Sequence, residues 1–299
     1  STRKESSAAS DVYKRQIRNK ALSSFLGKRP EMTEVYTLGV DVGSTASKCV
    51  ILRDGREIVA LSLVPYGAGS SGPGRAIEEV LEKAGKTTSE MAGILATGYG
   101  RKQLAIAEQS MSELSCHARG AHFLFPGVRS VIDIGGQDVK ILSIGPNGML
   151  ENFVMNDKCA AGTGRFLDVM AHILELRTDE LADYAERAQK EIVISSTCTV
   201  FAESEVISQL AAGCDKADLI RGICVAIAAK VAGLARRIGV RDELVMTGGV
   251  AHNRAVRNAL AEALEHPINS DEYCQHVGAL GAALFAWQRC HKLAAENSN

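Results

Sequence analysis

The sequence predicts an α/β protein made of two similar halves around a cleft, and three observations point to it. A strand–turn–strand unit beginning at Leu38 recurs about 92 residues later, beginning at Val131. In each copy the first apolar strand runs directly into a Gly-rich turn, and each copy is followed by apolar residues at helical spacing.

The first copy reads Leu38-Gly39-Val40-Asp41-Val42-Gly43-Ser44-Thr45, then Lys48, the apolar run Cys49–Leu52, the turn Asp54-Gly55, and Ile58–Leu61. The second reads Val131-Ile132-Asp133-Ile134-Gly135-Gly136-Gln137-Asp138, then Lys140-Ile141-Leu142, Asn147-Gly148, and Phe153-Val154. Both strands end in Asp-x-Gly, and a Lys follows seven residues after the Asp. Asp-Gly and Asn-Gly are strong hairpin signals, so each half opens with an antiparallel meander. After the first copy come the helical stretches Ala76–Lys83 and Glu113–Phe123, with the apolar run Ile94–Ala96 grouped with them. After the second, Phe166, Val169, Met170, Ile173 and Leu174 share one helical face, and a longer stripe runs from Ile220 through Ile223, Ile227, Val231 and Leu234 to Ile238, ending near Gly239. A strand over Glu243–Met246 reaches Thr247-Gly248-Gly249-Val250, and a last helix, Gly278–Leu284, is built of small residues suited to close packing.

These patterns divide the chain into residues 32–127, 128–274 and a C-terminal helix, about 275–290, that rejoins the first half. Residues 1–31, rich in Ser, Lys and Arg and without periodicity, read as a disordered leader or an upstream scar.

Hydrophobic residues make up 46% of the chain and charged ones 23%, with a formal net charge of −1. That balance gives no electrostatic reason to expect nucleic acid or an acidic membrane surface. No apolar stretch approaches the ~20 residues of a spanning helix, and no secretory signal opens the sequence, so a cytoplasmic protein is expected. The chain carries eight cysteines and no Cys-x-x-Cys pair. In a reducing compartment that excess suggests metal or redox chemistry assembled from remote positions.

The two Gly-rich turns offer backbone N–H groups to an anion, and Gly43, Gly135 and Gly136 allow close approach because they carry no Cβ. Ser44 and Thr45 add hydroxyl donors. Asp41 and Asp133, at strand ends, suit the waters of a Mg²⁺ ion, with Lys48 and Asp138 beside them, and Gln137 suits the orientation of an attacking water. A single Asp-Val-Gly-Ser-Thr is equally compatible with a plain hairpin turn. A second copy with the same Asp and Lys is not, because hairpins require neither. The pattern resembles the acetate and sugar kinase, Hsp70 and actin superfamily, whose duplicated ribonuclease-H-like halves bind ATP in the cleft between them. That resemblance implies adenosine contacts at Gly248 and Gly249, and hinge helices at Glu113–Phe123 and Gly278–Leu284.

Cys49, Cys116, Cys224 and Cys290 lie within strand or helix patterns and read as small buried hydrophobes. Cys214 and Cys274 fall in loop-like stretches and receive no role. Cys159, in Asn156-Asp157-Lys158-Cys159-Ala160-Ala161-Gly162-Thr163-Gly164-Arg165-Phe166, and Cys198, in Ser195–Glu203, precede helical patterns, where a helix N-terminus favours thiolates. Two thiolates are half of what a 4Fe–4S cluster needs, and a two-fold axis supplies the other half. Residue types alone leave open that these are two unrelated loop cysteines. Asp41–Lys48, Ala96-Thr97-Gly98-Tyr99-Gly100-Arg101, Asp133–Asp138, Asn156–Phe166 and Ser195–Glu205 together resemble the activator components of 2-hydroxyacyl-CoA dehydratases, a branch of the BadF/BadG/BcrA/BcrD-type ATPases that includes subunits of benzoyl-CoA reductase. The resemblance spans about Tyr36 to Trp287.

It implies an ATPase that injects one low-potential electron into a dehydratase. The implied set is a 4Fe–4S cluster shared by a homodimer through Cys159 and Cys198, ATP with Mg²⁺, and a reduced ferredoxin or flavodoxin as donor. Three rivals remain: a small-molecule kinase of the same fold, a nucleotide-dependent chaperone or scaffold, and a stable subunit of a benzoyl-CoA-type reductase. The seven histidines show no metal-ligand spacing and read as surface or packing residues, and Glu203 and Glu205 as a solvated helix face.

Overall fold

The computed structural model describes residues 34–107, 109–195 and 198–296; the expected leader, residues 1–31, lies outside the described residues. Two five-stranded sheets carry the fold. The first has the order β3-β2-β1-β4-β5, from β1 (Tyr36–Val42), β2 (Ser47–Arg53), β3 (Glu57–Val64), β4 (Met91–Thr97) and β5 (Gln109–Ser110). The second has the order β10-β9-β6-β7-β8, from β6 (Ser130–Ile134), β7 (Val139–Ile144), β8 (Leu150–Asn156), β9 (Leu244–Thr247) and β10 (Ile268–Asn269). In both, an antiparallel meander is extended by parallel strands on the far side of its first strand.

The meanders explain the spacing of Asp and Lys. In β1–β2 the register sets Asp41 opposite Lys48, and in β6–β7 it sets Asp133 opposite Lys140. A short turn between antiparallel strands therefore converts a seven-residue separation into a cross-strand ion pair. The central strands are buried on both faces: every residue of β1, β6 and β7 is buried. Near-continuous apolar runs, rather than alternation, follow from that.

Eight helices are described: α1 (Gly72–Ala84), α2 (Glu113–Leu124), α3 (Gly164–Ile173), α4 (Leu181–Ala185), α5 (Thr199–Ala211), α6 (Lys216–Ala235), α7 (Arg254–Leu264) and α8 (Val277–Glu296). The Phe166, Leu167, Met170 face of α3 and the Ile220, Ile223, Ile227, Val231 stripe of α6 enter one core with Ile132 and Met246 of the second sheet. The chain returns through α8 to the first sheet, where Thr37 Oγ1 donates to Ala283 O at 3.1 Å. Small residues permit that contact, since a Cβ on Gly39 would meet Ala279 O at 1.9 Å and one on Gly281 would meet Cys116 O at 1.8 Å. No helix among the described residues is long and apolar enough to cross a membrane.

Four expectations are corrected. Ile94–Ala96 lies in strand β4, not in a helix, because a short apolar run carries no period to separate the two. Helix α6 ends at Ala235, so Ile238 packs against the core from the following turn. Cys290 is only half-buried, near the exposed end of α8, whereas Cys274 is buried beside the second core. Cys159 stands five residues ahead of the first residue of α3, so no helix N-terminus acts on it directly.

Candidate functional site

Between the sheets lies a cavity of about 840 Å³. Asp41, Gly43, Ser44, Thr45 and Lys48 line it from the first sheet, and Asp133, Gly135, Gly136, Gln137 and Asp138 from the second; Gly248 and Gly249 close one side. The structure thus brings together every expected residue except the two cysteines. The two loops have the same backbone form, with Gly43 N donating to Ala46 O at 3.1 Å and Gly135 N to Asp138 O at 3.0 Å. They also meet: a Cβ on Gly136 would lie 2.4 Å from Thr45 Oγ1. Gly98, at φ +86°, is needed for the same reason, since its Cβ would fall 2.4 Å from Asp41 Oδ1.

The charges are distributed unequally. Among the described residues Asp41 holds one cation, Lys48 Nζ at 3.2 Å, and its Oδ1 is buried with no hydrogen-bond partner. Asp133 is engaged at both oxygens. Thr247 Oγ1 donates to Oδ1 at 2.7 Å, His117 Nδ1 stands 3.3 Å from Oδ1, and Lys140 Nζ lies 3.3 Å from Oδ2. Lys140 also meets Asp138 at 2.7 Å and Glu113 at 2.9 Å. Burial alone would raise the Asp133 carboxyl, but His117 and Lys140 outweigh it and hold it well below the usual carboxylate range. Burial likewise opposes the charge on Lys140, and Asp133, Glu113 and Asp138 overcome it, so its ammonium binds its proton more tightly than usual. The same contest, with Asp133 prevailing over burial, raises His117.

Glu113 and His117 project from α2 into a site built on strands, and neither was expected from the sequence. Nor were Asn253, His252 and Gln275 near Gly248 and Gly249. Asn253 caps α7 by accepting from Val256 N at 3.1 Å, while its Nδ2 is buried without a partner among the described residues. The only signal for it was the Asn immediately before a helical pattern.

Asp41 Oδ1 and Asn253 Nδ2, a buried acceptor and a buried donor without a partner among the described residues, belong to side chains lining a glycine-rich cavity and fit a nucleotide with its divalent cation in chemistry. Among the described residues no three His, Cys, Asp or Glu side chains converge as a metal group.

The cysteines lie on the second half. Cys159 sits in a loop clamped by Asn156, whose Oδ1 accepts from Cys159 N at 3.2 Å and whose Nδ2 donates to Cys159 O at 2.8 Å. Cys198 is exposed and caps α5 without forming a side-chain capping bond, and next to it Thr199 Oγ1 is buried with no partner among the described residues. Glu205 is not a merely solvated residue: its Oε1 accepts from Ser195 N and Ser195 Oγ, each at 3.0 Å. By contrast, burial pushes the thiols of Cys49, Cys116 and Cys224 up to about 12, which marks them as inert.

Residues 38–286 match the BadF/BadG/BcrA/BcrD ATPase family, and the chain belongs to it. It is 60% identical over 259 residues to the (R)-2-hydroxyglutaryl-CoA dehydratase activating ATPase of Acidaminococcus fermentans, covering 86% of this chain and 99% of that protein. It is 50% identical to the activator of lactoyl-CoA dehydratase of Anaerotignum propionicum, covering 86% and 100%. The solved activator of the 2-hydroxyisocaproyl-CoA dehydratase from Clostridium difficile, with bound ADPNP, superposes at a TM-score of 0.86, with 48% identity over 88% of this chain and 98% of that one. A ROK family glucokinase from Streptomyces griseus shares the fold at a TM-score of 0.54 and 15% identity, covering 85% and 99%. The architecture is the duplicated ribonuclease-H-like fold of actin-type and sugar-kinase-type ATPases.

Proposed function

We propose that this member of the BadF/BadG/BcrA/BcrD ATPase family is an ATP-dependent activator of a 2-hydroxyacyl-CoA dehydratase, delivering one electron through a 4Fe–4S cluster shared by two identical chains. Three of the curated relatives are named as dehydratase activators or activating ATPases, at 48–60% identity. One observation carries the coupling. The first amides of α3 are spent on the second loop: Gly164 N donates to Gly135 O at 2.9 Å, and Arg165 N donates to Gly136 O at 2.8 Å. A displacement of that loop is therefore passed to α3 and to the Cys159 segment before it.

The donor set fits such a group: two thiols per chain, one half-buried and one exposed, with an unpartnered hydroxyl beside the second. When bound, the cluster would supply a reversible one-electron store, filled by a reduced ferredoxin or flavodoxin. In the chain on either side of Cys198, Val193, Val200, Phe201 and Ile207 are exposed apolar side chains, which supports a second copy covering part of this region. At the cavity, Ser44, Thr45 and the loop amides would bind the phosphates, Asp41 would hold the waters of Mg²⁺, and Gln137, exposed at the cavity wall, would orient the attacking water. Raising an electron by ~300 mV requires roughly 7 kcal/mol, a scale that nucleotide-driven closure can supply and a static site cannot.

Cys159→Ser tests the ligand assignment. The anaerobically prepared variant is expected to lose its iron and its reduced-state EPR signal while still hydrolysing ATP. Unchanged iron and an unchanged signal would overturn it.

A further inference from the structure

The two strand-end aspartates belong to different sheets, and one side chain lies against the second and across the Gly278 gap from the first. His117, 7% exposed, comes from α2 at the point where that helix crosses α8. Its Nδ1 is 3.3 Å from Asp133 Oδ1, and at that separation is not aligned for a hydrogen bond. Its Nε2 faces the other way. A Cβ placed on Gly278 of α8 would meet His117 Nε2 at 2.9 Å and Asp41 Oδ2 at 3.2 Å, so the imidazole and the first aspartate converge on the gap that this glycine leaves open. Glu113, one turn earlier, is 3.9 Å from Nε2 and also pairs with Lys140. The crossing is rigid, because Gly120 admits Val277 O to 2.1 Å from where its Cβ would be.

We propose that His117 is a positioning residue that measures the distance between the two phosphate loops: with the cleft closed on nucleotide, its two nitrogens bridge Asp133 and Asp41 across the Gly278 gap. The bridge sets Asp41, and whatever Asp41 holds, against the loop that carries Gln137. No covalent bond to His117 forms or breaks. It acts by alignment, and a misplacement of about 1 Å at such a site costs on the order of 10²-fold in rate. The glycine is part of the device, since any side chain there would fill the path between the two groups.

This rests on reading the cavity as an ATP site, and the test separates the two. His117→Asn keeps a donor near the Nδ1 position and removes the Nε2 arm; Gly278→Ala obstructs the gap from the opposite helix. Steady-state ATP hydrolysis and small-angle scattering, with and without a non-hydrolysable ATP analogue, are measured on both variants and on the wild-type protein. The expected result is a fall in kcat of at least about tenfold with KM within about threefold, and a radius of gyration that contracts with the analogue in the wild type only. Wild-type kcat and contraction in His117→Asn would overturn the bridge. A fall in kcat matched by a comparable rise in KM, together with a lowered Tm, would also overturn it, in favour of a packing role. A wild-type protein that neither hydrolyses ATP nor contracts would remove the ATP reading itself.

Discussion

The two loops of this protein share a backbone and a motif yet leave their aspartates in opposite states. Asp41 meets one lysine and keeps a buried oxygen open, whereas Asp133 is held by a threonine, a lysine and a histidine and sits in a cluster with two further carboxylates. The duplicated motif thus has one carboxylate with a single ion-pair partner and one enclosed by several. The contrast extends to the lysines: the Lys48 side chain is 18% exposed and Lys140 only 2%. Lys48 can turn toward a phosphate, while Lys140 is fully occupied in neutralising its neighbours.

The largest effect should come from the open side. Asp41→Asn is expected to reduce ATP hydrolysis by about 10²–10³-fold with little change in Tm, because the lost charge serves a ligand more than the fold. Unchanged hydrolysis would break the contrast. Asp133→Ala attacks the closed side and leaves Lys140 and His117 with less compensation. Breaking a buried pair in this way costs about 3–5 kcal/mol, so thermal unfolding should move down by roughly 10 °C, and hydrolysis should fall with it. A variant as stable as the parent would show that Asp133 is no scaffold residue.

Gly136→Ala sharpens the comparison where the loops touch. With Thr45 Oγ1 at 2.4 Å from the new Cβ, the loops must separate, and affinity for an ATP analogue should weaken by about 1–3 kcal/mol in titration calorimetry. Thr45→Ala in the same chain should recover part of that loss.

The smallest effect concerns pH. Burial, with the Lys48 charge next, drives His276 down to about 4 from its ordinary 6.5. The folded protein therefore holds this imidazole neutral while the unfolded chain protonates it. Its contribution is present above about 6.5 and is lost as pH falls toward about 4. The decline in Tm across that window should be shallower in His276→Asn than in the parent, and equal slopes would refute the assignment.

What the sequence made legible was whatever a local pattern encodes. Asp41 with Lys48, and Asp133 with Lys140, could be read because a hairpin places them opposite each other, and the glycines could be read because backbone approach excludes a side chain. The α3 face and the α6 stripe were visible as periodicity. Glu113 and His117 were not, because their role depends on the rotation of α2 and on where it crosses α8, neither of which leaves a mark in the residues around them. Asn253 and Gln275 were hidden for the same reason, on the far side of a turn whose glycines alone carried the signal. Ile94–Ala96 failed differently: three apolar residues have no period.

The most direct measurement of the central claim, that an ATP-closed cleft and a thiolate-held cluster move together, is EPR of the dithionite-reduced protein prepared without oxygen, recorded with and without ATP. The account predicts about four irons per two chains and a signal whose shape changes when nucleotide is added. A protein without iron, or a cluster signal indifferent to ATP, would contradict it.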